Sequence, residues 1–307
     1  MSVIIFPGQG SQYTHMAMDF NENFEISRLI FQEIEDATKI NIRKLISENE
    51  NNNLNQTNFT QIAIFAASIV IYKTLLNEVG TKKINPKISL GHSLGEYTAL
   101  VAANLLSLSD ASILIKLRGN LMNAALKPNT SGMAAVIGKN ANFIKNIIEN
   151  NNLDIQIAND NSPMQVVVSG LIDNINNAEK YFISSGVKRY VKLSVSSAFH
   201  SKYMIDAEIN LNSEIKKLII NEPIFPIISN FDAKINTKKD DIIIALSKQM
   251  SNMVKWTESI QLLEKMNDLE IIEIGPSKVL SGLISRISKK FTIKSIDKVE
   301  DLNLFLD

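Results

Sequence analysis

Short apolar runs alternate with longer segments of helical spacing through the first part of the chain. Residues 3–6 and 88–90 are short, mainly apolar runs that end in glycine-rich turns, which predicts buried strands. Apolar side chains at helical spacing predict helices at 24–40, 61–76 and 111–126, and an asparagine-rich segment at 49–55 predicts an exposed loop. Because alternating strands and helices are typical of a parallel sheet covered on both faces, we predict an α/β core.

The pattern changes between residues 128 and 195. Residues 128–132 have the composition of a linker. The apolar pattern that follows predicts strand, helix, strand, strand, helix and strand, at 133–137, 141–150, 155–158, 165–169, 172–185 and 189–193. This β-α-β-β-α-β order is typical of a ferredoxin-like unit. We therefore predict a small domain over 128–195, inserted into a larger domain formed by 1–127 and 196–307.

The larger domain resumes after the insert. Helical spacing predicts helices at 203–219, 241–250, 257–266 and 279–288. Apolar runs predict strands at 224–229 and 270–274, the second of which ends at a Gly275-Pro276 turn.

Composition and charge argue against several classes of function. The 307-residue chain is 45% hydrophobic, enough for a large core, and has 32 basic and 32 acidic residues. That balance gives no global field to attract nucleic acid or a membrane surface. Cysteine is absent and the three histidines lack metal-ligand spacing, so we expect no thiol nucleophile, no disulfide and no metal.

The sequence carries no pattern typical of export or of a membrane span. The chain opens on a short apolar run without the basic region and long apolar core of a signal peptide. The longest apolar segment, 62–72, is shorter than a membrane span and contains Ser68. We therefore expect a soluble, cytoplasmic protein.

The candidate chemistry centres on Gly91-His92-Ser93-Leu94-Gly95, which follows a predicted strand and opens a predicted helix. A G-x-S-x-G pentapeptide in that context is the nucleophile-elbow pattern. The turn is so tight that only glycine fits two residues before and after the serine. It lifts the hydroxyl clear of the sheet, and the helix directs free N–H groups toward a reacting carbonyl. The pattern predicts Ser93 as a nucleophile.

A serine hydroxyl needs a base within hydrogen-bond reach, and the chain offers three histidines. The side chain of His92 leaves the elbow in a different direction from that of Ser93. His15 lies in a region without a feature that would orient it. His200 lies in a small-residue loop where the insert returns to the larger domain, a place where clefts form. His200 is therefore the favoured base, with a plain structural role as the alternative.

Seven short motifs, spread over nearly the whole chain, follow the order of one enzyme family. They are Phe6-Pro7-Gly8-Gln9-Gly10-Ser11-Gln12, Gly91-His92-Ser93-Leu94-Gly95-Glu96-Tyr97, Arg118-Gly119, Asn161-Ser162-Pro163, Ala198-Phe199-His200-Ser201, Gln249 before Trp256, and Gly275-Pro276-Ser277-Lys278-Val279-Leu280. Together they closely resemble the malonyl-CoA:acyl carrier protein transacylases of bacterial type II fatty acid synthesis. The resemblance implies an α/β-hydrolase-like core with a parallel sheet plus a ferredoxin-like insert, which agrees with the organisation predicted above.

The resemblance also implies a catalytic assignment. Ser93 would attack the malonyl thioester, and His200 would take its proton and return it to the departing thiol. In this family a backbone carbonyl orients the histidine, and the matching position is Gln249. The N–H groups of Leu94 and Gln9 would hold the oxyanion.

Substrate binding follows from the same resemblance. Arg118 would grip the free carboxylate of malonate with two parallel hydrogen bonds, and its apolar sequence neighbours favour an inward orientation. A solvated arginine on a helix surface is the alternative reading. Asn161 and His92 match substrate-binding positions.

The remaining candidates are basic residues near the proposed cleft. We expect Lys188, Arg189 and Arg286 to contact the phosphates of CoA and the acidic surface of acyl carrier protein, although ordinary solvated charges are an equal alternative. Asp160 and Met253 depart from the family's usual residues, and Asp160 could alter the charge of the pocket near Asn161.

Taken together, the sequence predicts malonyl transfer from malonyl-CoA to acyl carrier protein by a ping-pong route, without a metal or a cofactor. An acyl hydrolase shares the same acyl-enzyme and is one alternative. A silent scaffold that binds acyl carrier protein is another, although such a domain has no reason to retain Ser93, His200, Arg118 and Gln9 together. A stand-alone acyltransferase that serves a polyketide synthase is the third.

Overall fold

The structure is a computed structural model that describes residues 2–266 and 269–305. Its strands are β1 (Ser2–Phe6), β2 (Pro86–Gly91), β3 (Ser131–Ile137), β4 (Ile155–Ser162), β5 (Gln165–Leu171), β6 (Arg189–Lys192), β7 (Ile227–Ile228), β8 (Ile235–Asn236), β9 (Glu270–Ile274) and β10 (Thr292–Ile296). Its α-helices are α1 (Met18–Asn23), α2 (Glu25–Thr38), α3 (Ile42–Glu48), α4 (Thr57–Val79), α5 (Thr81–Ile84), α6 (Leu94–Ala102), α7 (Leu108–Ala124), α8 (Ala141–Asn150), α9 (Ile172–Ser184), α10 (Ile205–Ile215), α11 (Lys239–Leu246), α12 (Trp256–Glu264) and α13 (Val279–Ile287). Short 3₁₀ helices lie at Glu50–Asn55, Lys202–Met204 and Val299–Phe305.

A six-stranded sheet in the order β10-β9-β1-β2-β7-β8 forms the centre of the larger part. Its strands are parallel except for the edge strand β8, which pairs antiparallel with β7. Both faces are covered, because Ile4 and Phe6 of β1 pack in one apolar cluster while Val3 and Ile5 pack in another. The predicted parallel α/β sheet is confirmed.

A second, antiparallel sheet has the order β4-β5-β3-β6. Its elements follow the chain as strand, helix, strand, strand, helix, strand, and α8 and α9 cover one face with Val136 and Phe182 in their shared core. The opposite face, which includes Ala135 and Val167, joins the main apolar cluster. The small sheet therefore lies with one face against the larger part. The domain limits at 128–195 stay a prediction.

The apolar segment 62–72 belongs to a longer helix than the sequence suggested. Helix α4 has 23 residues and, by length and composition alone, could cross a membrane, so the argument from length was wrong. Within its most apolar window, 83% of the residues are buried inside the protein. Its high apolar content is thus explained by packing inside the protein, as in the core helix of a large domain.

Several predicted boundaries change for physical reasons. The strand expected at 224–229 contracts to Ile227–Ile228, and it begins directly after Pro226, which lacks the N–H that a ladder needs. The helix expected at 203–219 ends at Ile215. The asparagine-rich segment 49–55 forms a 3₁₀ turn in which Asn51 and Asn52 adopt left-handed backbone angles, φ 54° and 58°. Helices α1, α3 and α5 and strands β8 and β10 were not predicted.

Candidate active site

Ser93 lies at the turn between β2 and α6, at the carboxyl edge of the parallel sheet. Its backbone angles are φ 52° and ψ −105°, a strained conformation for any residue with a side chain. The flanking glycines are required by close packing: a Cβ on Gly91 would lie 2.0 Å from the backbone of Gly95, and a Cβ on Gly95 would lie 2.1 Å from the carbonyl oxygen of Phe6. The predicted nucleophile-elbow geometry is present.

His200 reaches Ser93 from the segment that follows the small sheet. Its Nε2 lies 2.8 Å from Ser93 Oγ, and its Nδ1–H is directed at the carbonyl oxygens of Gln249 at 3.0 Å and Asn252 at 3.1 Å. These two acceptors fix the tautomer that leaves Nε2 unprotonated toward Ser93. Burial and the nearby Arg118 guanidinium lower the pKa of His200 to about 3, so the ring is neutral at physiological pH.

The other two histidines are placed elsewhere. His92 Nε2 lies 2.8 Å from Asn161 Oδ1, and its ring packs 5.6 Å from the Trp256 ring. Burial lowers the pKa of His92, so this ring is also neutral. His15 is exposed on a loop whose backbone contacts Ile46. Of the three histidines, His200 is the one in contact with the serine hydroxyl.

Arg118 on α7 is fully buried beside the serine. Its Nη1 donates to Gln61 Oε1 at 2.6 Å, and its Nη2 donates to Gln249 Oε1 at 3.0 Å and to Ser93 Oγ at 3.1 Å. The Tyr97 ring lies 5.1 Å from the guanidinium carbon. Among the described residues no carboxylate lies within 4.0 Å of this guanidinium. Arg118 is therefore a buried cation held by amide oxygens, and the surface-arginine alternative does not apply.

Ser93, His200 and Arg118 line one small cavity of about 100 Å³. Its lining is polar around the serine and apolar opposite it, and comprises Gln9, Gln61, His92, Ser93, Leu94, Arg118, Met122, Met133, Asn159, Leu193, Val195, Phe199 and His200. The backbone N–H groups of Leu94 and Gln9 have no hydrogen-bond partner in the part of the chain that the structure describes. Both residues line the cavity, so two free donors lie beside Ser93.

Three supporting residues escaped the sequence reasoning. Asn230 Oδ1 accepts the Ser93 N–H at 2.7 Å, and Asn230 Nδ2 donates to the carbonyl oxygen of Gly91 at 2.6 Å. Gln61 holds Arg118, and the buried Glu96 accepts from Gln249 Nε2 at 2.8 Å. Asn230 and Gln61 lie far from the elbow in the chain without a local motif. Glu96 is part of the elbow motif, but the sequence gives its side chain no partner.

The three basic candidates lie at one end of the small sheet. Arg286 Nη1 donates to Gln165 Oε1 at 3.0 Å, and Gln165 and Arg189 both pair with Ile137. Lys188, next in the chain to Arg189, packs its methylenes against Gly138. Met133, which lines the serine cavity, is four residues along β3 from Ile137, or about 13 Å. The basic residues therefore lie outside the serine cavity.

Asp160 does not line the serine cavity. Thr257 Oγ1 donates to Asp160 Oδ1 at 2.8 Å, and burial raises the pKa of this carboxyl. Asp160 and Met253 line a groove of about 790 Å³ that adjoins the serine cavity at His200, which lines both. Neither departure from the family pattern lies in the serine cavity. Across residues 2–266 and 269–305, no group of three or more His, Cys, Asp or Glu is placed to hold a metal.

A strained serine between a strand and a helix, contacted by a neutral histidine, defines the geometry of a serine-dependent acyl-transfer enzyme. Residues 3–301 match the family model described as "Acyl transferase domain". The chain belongs to that family and is an acyltransferase.

Two curated relatives and one solved structure are similar to this chain over nearly its whole length. The malonyl CoA-acyl carrier protein transacylase of Bacillus subtilis strain 168 is 34% identical over 304 residues, which cover 98% of this chain and 94% of the relative. The same organism's polyketide biosynthesis malonyl CoA-acyl carrier protein transacylase is 36% identical over 291 residues, with 94% and 98% covered. A malonyl-transacylase solved in complex with a type II polyketide synthase acyl-carrier protein matches with a TM-score of 0.94 and 32% identity, over 99% of this chain and 98% of that one.

Proposed function

We propose that this protein transfers the malonyl group of malonyl-CoA to the phosphopantetheine thiol of acyl carrier protein and so supplies fatty acid synthesis. The observation that carries the proposal is Arg118, a fully buried guanidinium 3.1 Å from the hydroxyl of Ser93 and without a carboxylate partner among the described residues. A free carboxylate on the acyl group is the partner that such a cation lacks. The relatives named above act, by their names, on malonyl-CoA and acyl carrier protein.

In the first half-reaction, Ser93 Oγ attacks the thioester carbonyl as His200 Nε2 takes the hydroxyl proton. The contact of 2.8 Å between these atoms and the neutral imidazole support this assignment. The N–H groups of Leu94 and Gln9 receive the oxyanion. Collapse of the tetrahedral intermediate breaks the C–S bond, and the proton on His200 passes to the CoA thiolate, which leaves malonyl-Ser93.

The second half-reaction reverses these steps with another thiol. His200 takes the proton of the phosphopantetheine thiol, the sulfur attacks the malonyl ester, and the proton returns to Ser93 Oγ as the ester bond breaks. His200 needs an orienting group in both halves, and the carbonyl oxygens of Gln249 and Asn252 supply it in place of a carboxylate. No cofactor takes part, because CoA enters and leaves as part of the substrate.

The apolar wall of the cavity favours a thiol over water as acceptor. Apolar side chains of Met133, Val195 and Phe199 form one wall of the small cavity. Such a wall offers an attacking water few hydrogen-bond partners, and a thiol, which is a weak donor, loses less there. This distinction separates transfer from the acyl hydrolase alternative. Asn161, which fixes the His92 ring, is proposed to contact the bound substrate together with it.

We also propose a fold class for each of the two parts of the chain. The parallel sheet with its elbow at the end of β2 supports an α/β-hydrolase-like core over 1–127 and 196–307. The β-α-β-β-α-β order and the antiparallel sheet support a ferredoxin-like small domain over 128–195. We propose a cytoplasmic enzyme that binds neither nucleic acid nor membrane.

One observation favours a second acceptor. The fatty-acid-type and polyketide-type relatives from one organism are 34% and 36% identical to this chain, and the structural match holds a polyketide synthase carrier protein. A carrier protein of a polyketide synthase is therefore the alternative acceptor. Transfer rates to a fatty acid carrier protein and to a polyketide carrier protein, measured side by side, decide between them.

Brief exposure to malonyl-CoA followed by mass spectrometry tests the proposal. We expect one malonyl group on the peptide that holds Ser93, and none on the Ser93→Ala variant, because the covalent route needs the hydroxyl. His200→Ala should acylate about 10²–10⁴-fold more slowly, the usual contribution of a general base. Labelling of Ser93→Ala, or label on another residue of the wild-type protein, contradicts the assignment.

A further inference from the structure

Glu96 is a buried carboxyl group that the proposed reaction leaves unused. It lies on the first turn of α6, three residues after Ser93, and has no exposed surface. No lysine or arginine nitrogen of the described residues lies within 4.0 Å of it, so it has no ion pair to compensate its burial. Burial accordingly raises its pKa to about 7. A group this costly to bury points to a role beyond packing.

Two hydrogen-bond partners of Glu96 also hold the peptide groups of the nucleophile. Glu96 Oε2 accepts from Gln249 Nε2 at 2.8 Å and from the Asn230 N–H at 3.2 Å. Gln249 Nε2 also donates to the Ser93 carbonyl oxygen at 2.7 Å, and Asn230 Oδ1 accepts the Ser93 N–H at 2.7 Å. Since Ser93 has strained backbone angles, its conformation persists only where the surroundings impose it.

Glu96 also supports the orientation of the Gln249 amide. The Gln249 NH₂ group donates to the Ser93 carbonyl oxygen, which can only accept, and Glu96 Oε2 is its second acceptor. The amide oxygen is then directed at Arg118 Nη2, which it meets at 3.0 Å. The opposite orientation would place NH₂ against guanidinium, two donors together, and would leave Arg118 without one of its supports.

We propose that Glu96 is a positioning residue of the acyl-transfer site, which acts through Gln249 and Asn230 to hold Ser93 and Arg118 in their reactive arrangement. The inference rests on the proposed function, since it concerns the geometry of the same serine. The Glu96 side chain touches neither Ser93 Oγ nor the cavity, and we infer that it acts through Gln249 and Asn230.

The test measures the single-turnover rate constant for acylation of Ser93 at saturating malonyl-CoA, with thermal unfolding in parallel. Glu96→Leu removes both hydrogen bonds and should acylate about 10²-fold more slowly, the effect of a misplaced reactive group. Glu96→Gln keeps an oxygen for the two donors and should lose less, a partial rescue by the conservative variant.

Glu273→Gln is the matched control. Glu273 is equally buried, and its oxygens accept from the N–H groups of Leu280 and Ser281 at the start of α13. We expect this variant to lose stability without a change in the acylation rate constant. Equal rate constants for wild type, Glu96→Leu and Glu273→Gln would overturn the inference about Glu96 alone. Absence of acylation in the wild-type protein would overturn the proposed function, and the inference with it.

A double-mutant cycle keeps the question decidable if Glu96→Leu does not fold. Gln249→Ala removes the amide while keeping the backbone carbonyl that orients His200. Glu96→Gln should then lower the rate constant by a smaller factor in the Gln249→Ala background than in the wild type. Equal factors in the two backgrounds would show that Glu96 does not act through Gln249, and would overturn the inference.

Discussion

A purely structural role does not explain the surroundings of Arg118. Its guanidinium is fully buried, and Gln61, Gln249 and Ser93 hold it through neutral oxygens. Burial lowers its pKa, yet a guanidinium keeps its proton in proteins. A desolvated cation without an anion is costly, and the cost falls when a substrate supplies the carboxylate. At the residue scale, we propose that this one unpaired charge selects the acyl group.

Replacement of Arg118 should therefore change which acyl group is accepted. Arg118→Ala removes the grip on the malonyl carboxylate, so kcat/KM for malonyl-CoA should fall about 10²-fold or more. It also removes the penalty against neutral acyl chains, so kcat/KM for acetyl-CoA should stay unchanged or rise. Arg118→Lys keeps the charge but loses the two-pronged geometry, and should remain impaired with malonyl-CoA.

Arg43→Ala serves as the control for these variants. The Arg43 guanidinium already has a carboxylate partner, Glu35, on the outer side of α2 and α3. Its loss should leave both substrates unaffected. Equal losses for malonyl-CoA and acetyl-CoA in Arg118→Ala would mean that Arg118 supports the fold or the CoA moiety and does not select the acyl group.

At the scale of elements, close backbone contacts determine which residues fit in the turn between β2 and α6. A Cβ on Gly8 would lie 2.4 Å from the His92 carbonyl oxygen, and one on Gly95 would lie 2.1 Å from that of Phe6. The loop after β1 and the elbow after β2 are therefore in backbone contact. This contact brings Gln9 beside Leu94 and forms the pair of free N–H donors.

Gly95→Ala should separate these two loops. The added methyl group meets backbone that cannot rotate away, so we expect a loss of about 1–3 kcal/mol in the free energy of unfolding together with slower acylation of Ser93. Gly282→Ala on α13 is the control, because nothing lies within 4 Å of its added Cβ. That change should stabilise the helix by roughly 0.5–1 kcal/mol. Both are measured by urea unfolding, and a Gly95→Ala variant as stable as the wild type would contradict the steric argument.

At the scale of the whole molecule, the small sheet covers the serine with one face and carries basic residues at one end. Ala135 and Val167 of that face pack into the main core. Arg286 on α13 reaches across from the larger part to Gln165 on β5, so the basic residues come from both parts of the chain. Lys188, Arg189 and Arg286 thus form a patch outside the serine cavity, where we propose that acidic partners dock.

Reversal of this patch should weaken docking without altering the chemistry. We expect the double variant Arg189→Glu, Arg286→Glu to raise KM for acyl carrier protein, and to make that KM less sensitive to salt. The variant Lys82→Glu, Lys87→Glu carries the same charge change next to the amino end of β2, away from Ser93, and should behave as the wild type. Kinetics at several salt concentrations measure both. A salt dependence identical to that of the wild type would count against the patch.

The sequence by itself determined what local sterics and periodicity control. The elbow at Ser93 could be predicted because glycine is the one residue that fits its flanking positions. Strand β9 and helix α8 lie where the apolar pattern predicts them. The mainly apolar run of β9 reflects a strand buried on both faces, and the helical spacing of α8 reflects one buried face. Charge balance and the absence of cysteine limited the chemistry before any contact was known.

Only the tertiary structure decided which residues meet. His200 and Ser93 are 107 positions apart, and three histidines stood as candidates until the geometry placed one against the hydroxyl. Motif resemblance named Arg118, but the fold alone revealed its burial and its lack of a carboxylate partner. Asn230 and Glu96 carry no local signal of their roles, since their hydrogen bonds join segments more than 130 positions apart. Such pairings depend on how the two sheets and their helices pack, and no periodicity within a single element encodes them.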